Sequence, residues 1–342
     1  MIGVRDARDS NRTMASELPD DPALLVLGKI RTRGLAQVVS EPELELAVLL
    51  MHNYVPGSRA TLEARVADRR FVIKIYADDP SAEAEVYLRL AALGLAGDSG
   101  PRVPRLLSWD RDQKILVLSW LEGPSASQLV KDGKGRRAGE LAVAWLRAAS
   151  GGDVRFGPRH GCGHLLYQVG VSVGALTAAN PVLGATAKRT AKVLERTQPE
   201  EGTPHLVHGT LYARHILDMG DGPGVIDWQQ FGQGPFGVDA GMFLATISRA
   251  ALRHQEVADE ATRATEAFLE GTRGLVDPNT LEWYWAASLL HLAASGLKTG
   301  LRTQPILGAH SLVGEAAWRA EHPLASSLLE GGAQGDVPRD HA

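Results

Sequence analysis

The sequence predicts an α+β chain of two lobes, a small β-rich lobe followed by a larger helical one. Three observations carry this. Apolar alternation of period two is concentrated between about residues 61 and 121. From about residue 124 the apolar positions recur at helical spacing, over 137–149, 165–179 and 184–197, then over 238–252, 254–271 and 279–298. Between these helical blocks, HLVHGTLYARHILDMGDGPGVIDW (205–228) holds three short apolar runs with polar ends. The expected organisation is a disordered lead-in over 1–20, the β-rich lobe over 21–121, the helical lobe over 122–325 and a flexible tail over 326–342.

Each element has its own warrant. PELELAVLLMH (42–52) has apolar side chains on more than one face and reads as helix or strand. TLEARVA (61–67) alternates, Asp68, Arg69 and Arg70 turn, and FVIKIY (71–76) alternates again, the pattern of a hairpin. Asp78-Asp79-Pro80-Ser81 starts a helix with Ser81 as N-cap. That helix, 82–94, carries Val86, Leu88, Leu90 and Leu93, and Gly94 stops it. PRVPRLLSWD (101–110) leads into a turn, and KILVLSWLEG (114–123) is an apolar strand ended by Gly123 and Pro124. The closing EGGAQGDVPRDHA is rich in glycine and charge and reads as frayed.

The bulk numbers set bounds. Across 342 residues, 36 basic side chains face 40 acidic ones, a net charge of −4. So small an excess is no basis for non-specific binding to nucleic acid or membranes. The single cysteine, Cys162, rules out an intrachain disulfide and fits a reducing, cytoplasmic setting. Its neighbours His160 and His164 do not match a zinc spacing, and the segment reads as a surface loop. The N-terminus lacks the apolar stretch of a signal peptide. No apolar run approaches the roughly 20 residues of a membrane span. The oligomeric state is open.

Several residues invite chemistry. Lys74 lies inside the strand Phe71–Tyr76, on the face of Val72 and Tyr76. By itself it reads as an edge-strand lysine reaching water. Glu83 follows in the first turn of the next helix, where an acid suits the helix dipole. A buried lysine needs a partner, however, and Glu83 is placed to be one, aiming the ammonium at a phosphate. The turn around Gly57 and Ser58 lends backbone N–H groups to a phosphate or is simply a tight turn. Asp227, at the end of Gly224-Val225-Ile226, holds Mg²⁺ or caps the turn. Asp239 starts a helix and reads most simply as an N-terminal charge.

Taken in order, Lys74, Glu83, Val103-Pro104-Arg105, LVLSWLEG, His208-Gly209, Ile226-Asp227-Trp228 and Asp239 resemble the aminoglycoside phosphotransferase family, the small-molecule branch of the protein-kinase-like fold that includes choline kinases. The resemblance runs over roughly 45–300. It implies that Lys74 holds the α- and β-phosphates of ATP or GTP, that Glu83 orients it, and that Ser119, Trp120 and Leu121 line the base slot. It implies that Asp227 binds a divalent metal, Mg²⁺ or Mn²⁺, that Asp239 braces the catalytic loop, and that His208 is that loop's structural histidine.

Two positions depart from the family pattern of His-Gly-Asp, four residues, Asn. Here Thr210 stands where the resemblance puts the base, and His215 where it puts a metal-binding Asn. Threonine is no base near neutral pH. Imidazole nitrogen suits Mn²⁺ better than Mg²⁺, or the ring turns away and bonds the loop. Asp218, three residues on, is expected to point away. The expected function is phosphorylation of a hydroxyl on an unidentified small molecule. The alternatives are a nucleotide-binding pseudoenzyme and, less favoured, nucleotidyl transfer. Glu266, Glu270 and Glu282 would serve a cationic acceptor but read as solvated helix residues.

Overall fold

The computed structural model of the protein describes residues 17–39, 41–152, 155–295, 297 and 304–322. The expected tail and most of the expected lead-in fall outside them. From Glu17 on the chain is built in: Leu18 is in the core and Asp20 pairs with Arg31. The chain forms two compact units. One runs to Gly123 and also takes Met219–Gln229; the other takes Pro124–Asp218 and Gln230 onward.

The first unit opens with two short helices, α1 (Leu25–Arg33) and α2 (Leu35–Val39). Then come β1 (Val48–Val55), β2 (Arg59–Val66), β3 (Arg69–Tyr76), α3 (Ser81–Ala92), β4 (Leu106–Asp110) and β5 (Ile115–Ser119). The strands make one antiparallel sheet in the order β1-β2-β3-β5-β4. Alternation along β3 sorts its side chains. Phe71, Ile73 and Ile75 join the core that α1 and α2 build with Val26, Leu27, Ile30 and Leu35. Tyr76 lies on the other face with Leu116 of β5 and Ala84 of α3.

Several readings need correction. The hairpin turn is Ala67-Asp68 rather than 68–70, and Ala67 takes a left-handed φ of 50°. The ambiguous 42–52 stretch enters a strand at Val48. Helix α3 begins at Ser81, so Ser81 is not the cap. The Asp79 carboxylate does that work, accepting from the Ser81 N–H at 2.9 Å. On α3 the buried face is Glu83, Ala84, Val86, Tyr87 and Leu90, while Leu88 and Leu93 are exposed. Strand β4, with Leu107 and Trp109 exposed at the sheet edge, went unrecognised in the sequence.

The second unit is helical: α4 (Ala126–Lys131), α5 (Gly135–Ser150), α6 (Cys162–Ala179) and α7 (Pro181–Arg196) precede the short strand β6 (His205–Val207). After β7 (Ile216–Asp218), the strand β8 (Pro223–Val225) belongs to the first unit. The second unit resumes with β9 (Gly232–Gly234), α8 (Gly237–Arg253), α9 (Ala258–Gly271), α10 (Pro278–Ser295) and α11 (Gln304–Glu321). Helix α10 is apolar all round and packs on α6, α8 and α11. It is buried on every side, as such a helix must be. Asn180 caps α7, accepting at 3.0 Å from both Val182 and Leu183, with Pro181 at the first position.

Helices α4 and α11 were not expected. The 160–164 segment is no surface loop: Cys162 opens α6 with no exposure, and His160 is buried. Glu282 is buried as well and binds Arg319 at 2.8 and 3.1 Å, whereas Glu266 and Glu270 are exposed as expected. Among the described residues no helix is long and apolar enough to cross a membrane.

Candidate active site

The first unit assembles a buried ion cluster on the α3 face of its sheet. β3 lies between β2 and β5, so Lys74 is on an inner strand, opposite Thr61 and Leu116, and the edge-strand reading is overturned. The Lys74 side chain is 8% exposed. Its Nζ donates to Glu83 Oε1 at 2.5 Å and to Asp227 Oδ1 at 2.9 Å. The Tyr76 hydroxyl donates to the other Glu83 oxygen at 2.5 Å. Burial by itself lowers the Lys74 ammonium, but the carboxylates around it, Glu83 foremost, hold it well above the ordinary lysine value.

Asp227 reaches this cluster across 153 residues of sequence because β8 is stitched to the first unit. The Arg102 N–H donates to Pro223 O at 2.9 Å and the Val225 N–H to Arg102 O at 2.8 Å. The Arg102 guanidinium binds Asp221, whose carboxylate also accepts from the Gly100 N–H at 3.0 Å. Asp227 itself has a left-handed φ of 69°, rare for a residue with a side chain, and its side chain is 43% exposed.

The Gly57-Ser58 turn is engaged differently from a phosphate cradle. The Gly57 N–H, at φ 70°, donates to Asp21 Oδ2 at 2.7 Å, and the Ser58 N–H donates to Val55 O at 3.0 Å. The Asp21 carboxylate also accepts from Tyr54 Oη at 2.9 Å, which ties the turn to the segment that leads into α1. Neither N–H reaches a phosphate without breaking one of these bonds.

At the end of β5, Ser119 is bonded to Arg105 through its N–H (2.9 Å) and its Oγ (2.8 Å). Trp120 lies under the Arg70 guanidinium, 3.8 Å from the ring centroid, and donates to Glu122. The next residue, Leu121, is half-buried. Behind Trp120 sits Glu63, without exposure, bonded by His52 (2.7 Å), Arg65 (2.5 Å) and Arg70 (2.6 Å). Burial by itself raises the Glu63 carboxyl; the three donors outweigh it and hold it at about 2. Only Trp120 of this network was foreseen.

The second unit carries the loop after β6. β6 pairs with β9, Val207 opposite Gly232. Asp239, in the first turn of α8, is 2% exposed and accepts from the His208 N–H at 2.7 Å and the Gly209 N–H at 2.9 Å. Burial raises its carboxyl to about 7, and the two N–H bonds oppose the rise. Thr246 Oγ1 of α8 accepts from the Ala213 N–H. His208 is fully buried, and its Nδ1 accepts from the Thr210 N–H at 3.3 Å. His215 is buried and donates from Nδ1 to the Thr210 carbonyl at 3.0 Å. Asp218 is held by Arg137 through two bonds of 2.8 and 3.0 Å.

A polyphosphate with a divalent cation fits the first unit's donor set. Lys74 supplies a held ammonium, and Asp227 a half-open carboxylate oxygen, the ligand type hard cations take. Among the described residues no group of three or more His, Cys, Asp or Glu forms a ready-made metal cage. A cation there would rest on Asp227 and on the ligand's own oxygens. His160 and His164 stack at 4.4 Å instead of converging on a metal. The sequence places Tyr76 on the face of Lys74 without a role, and Tyr87 was missed although it lies four positions from Glu83 on its helix.

Comparison with known proteins bears on the fold and the family. A choline/ethanolamine kinase family protein from Mesorhizobium loti is 14% identical, with a TM-score of 0.55 over 90% of this chain and 96% of its own. A thermostable mutant of aminoglycoside phosphotransferase APH(4)-Ia, in ternary complex with AMP-PNP and hygromycin B, is 15% identical, with a TM-score of 0.56 over 89% and 97%. Amicoumacin kinase hAmiN, in complex with AMP-PNP, Ca²⁺ and Ami, is 12% identical, with a TM-score of 0.55 over 80% and 89%. At these identities the likeness shows the fold, kinase-like and α+β. No curated protein matches the sequence. The family model of the APH phosphotransferase enzymes matches residues 55–275, more than half of the chain, and the chain belongs to that family.

Proposed function

We propose that this protein is an ATP-dependent phosphotransferase acting on a hydroxyl of a small molecule, slowed by the replacement of its base. The observation that carries the reading is Lys74, buried and held between Glu83 and Asp227. A lysine fixed by one carboxylate and facing a second, half-exposed one is arranged for phosphate oxygens and a metal. The bound metal would neutralise phosphate charge as it develops. Solved relatives hold AMP-PNP together with hygromycin B or Ami, which supports a nucleotide and a small acceptor here. GTP is an alternative nucleotide. A cytoplasmic setting is part of the proposal and rests on the single, buried cysteine.

Thr210 brings no carboxylate to the acceptor proton. Losing a general base costs about 10²–10⁴ in rate, or about 3–5 kcal/mol of barrier. A second reading, a nucleotide-binding protein with a regulatory or scaffolding role, is favoured by one observation. The next acid along, Asp218, is held by Arg137 through two bonds and does not replace the missing base.

Saturating ATP with MnCl₂ should raise the melting temperature; at about 100 times the dissociation constant the gain is about 2.7 kcal/mol. Lys74→Ala should abolish most of it. Thr210→Asp should raise phosphate transfer to small alcohols, sugars and amino-sugars about 10²-fold. No thermal shift with either nucleotide sinks both readings. A shift without turnover in wild type or Thr210→Asp leaves the regulatory one.

A further inference from the structure

Tyr87 sits one helical turn after Glu83 on the same buried face of α3, next to the carboxylate that holds Lys74. The residue is 1% exposed. Its hydroxyl oxygen has no hydrogen-bond partner among the described residues. The Trp228 backbone N–H is the neighbour that acts on it, and as a donor that group leaves the phenol's own proton without an acceptor. Lys74, Glu83 and Asp227 all act on the phenol electrostatically, and burial pushes it well above the ordinary tyrosine value.

The nearest acceptor on α3 is engaged on both oxygens. Glu83 takes Lys74 on one oxygen and the Tyr76 hydroxyl on the other. The two tyrosines therefore differ: Tyr76 is paired, whereas Tyr87 keeps a donor in a buried place where an unmade hydrogen bond is costly. Phenylalanine would fill the same volume without that cost. An acceptor that arrives with a ligand resolves the conflict, and beside a held ammonium that acceptor is an anionic oxygen.

We propose that the Tyr87 hydroxyl is a phosphate-binding group of this site, donating to a phosphate oxygen of the nucleotide that Lys74 holds. The inference rests on the nucleotide reading above. Tyr87 is the helix-side donor and Lys74 the strand-side one. Both belong to the first unit, so the pair is built before any acceptor is bound.

The test uses the full chain as wild type, Tyr87→Phe and Lys74→Ala, with three probes: ATP with MnCl₂, adenosine, and MnCl₂ alone. Without ligand, Tyr87→Phe should melt at or above the wild-type temperature, because it removes an unpaired buried oxygen. Its affinity for ATP with MnCl₂ should fall about tenfold, the scale of one hydrogen bond to a charged acceptor. Adenosine and MnCl₂ alone should act on wild type and Tyr87→Phe alike. Unchanged ATP affinity in Tyr87→Phe, with loss in Lys74→Ala, overturns this inference and leaves the nucleotide reading standing. A Tyr87→Phe protein that is less stable without ligand shows that the hydroxyl serves the fold. An effect of Tyr87→Phe on MnCl₂ alone overturns the assignment to phosphate. A wild type that binds no nucleotide removes the reading and the inference together.

Discussion

The raised carboxyl of Asp239 makes a prediction about pH that can be worked through. Its folded value of about 7 lies above the ordinary 3.8, so the folded state holds a proton that the unfolded chain releases. The stability this contributes is fully present below about pH 4 and is lost as pH rises through about 7. Three units correspond to about 4 kcal/mol. His160, in the same unit, runs the other way: burial, helped by the neighbouring His164, lowers it from 6.5 to about 4. Its contribution is present above about pH 6.5 and is lost as pH falls through about 4, a swing of about 3 kcal/mol. Between about pH 4 and 6.5 the two slopes oppose and largely cancel. Asp239→Asn removes one of them. Unfolding free energies of the variant from urea titrations should therefore rise with pH from 4 to 6.5 by about 3 kcal/mol relative to the wild-type profile. The variant should also be weaker by about 1–3 kcal/mol at pH 5, because the amide has one acceptor oxygen for the His208 and Gly209 N–H groups. Parallel profiles would show that Asp239 is ionised throughout. The two N–H bonds would then outweigh its burial, and the argument from desolvation would be wrong.

Two further substitutions test the scaffold. Gly209 has φ 77°, and a Cβ there would meet the Gln230 carbonyl oxygen, so Gly209→Ala should cost about 3 kcal/mol or more; urea unfolding at pH 7 checks it, and a loss under about 1 kcal/mol would contradict the geometry. Glu63 is held at about 2 by Arg65, Arg70 and His52, so its contribution is present above about pH 4.5 and lost as pH falls through 2; Glu63→Gln should destabilise by about 1–3 kcal/mol at pH 7 and progressively less toward pH 2, and a penalty independent of pH would assign the loss to shape rather than charge.

The strands of strong alternation and the long helices are legible because their periodicity reports a single buried face. α5 and α7 are of this kind; β2 and β3 show instead by apolar alternation, although both faces of β3 are buried towards its end. The pattern fails where burial is partial or where glycine and proline interrupt it. β4 follows Pro101 and Pro104 and leaves Leu107 and Trp109 exposed. α1 is interrupted by Gly28, and α11 contains Pro305, Gly308 and Gly314. Lys74 shows a different limit. Alternation fixes its face, but whether it meets water depends on which strands flank β3, and that depends on β5, about 40 residues later. Its second partner, Asp227, comes from beyond five helices, and the link runs through the Arg102 bridge to β8. Nothing local in either stretch encodes the meeting.

The loop after β6 explains why the family is easier to read than the activity. Its shape is set by Asp239 on the N–H groups of His208 and Gly209, by the left-handed Gly209, and by Thr246 on the Ala213 N–H. None of these groups is Thr210 or His215. Thr210 contributes its backbone to the loop, accepting from the Tyr212 N–H at 2.6 Å and from His215 Nδ1 at 3.0 Å while donating to His208. Any residue but proline can make the same backbone bonds at 210, so an acid is exchangeable for threonine there at little structural cost. The barrier to phosphoryl transfer, by contrast, depends on that side chain by about 3–5 kcal/mol. Fold and chemistry are thus carried by different atoms of the same loop. A sequence can keep every contact that identifies the loop while changing the group that acts.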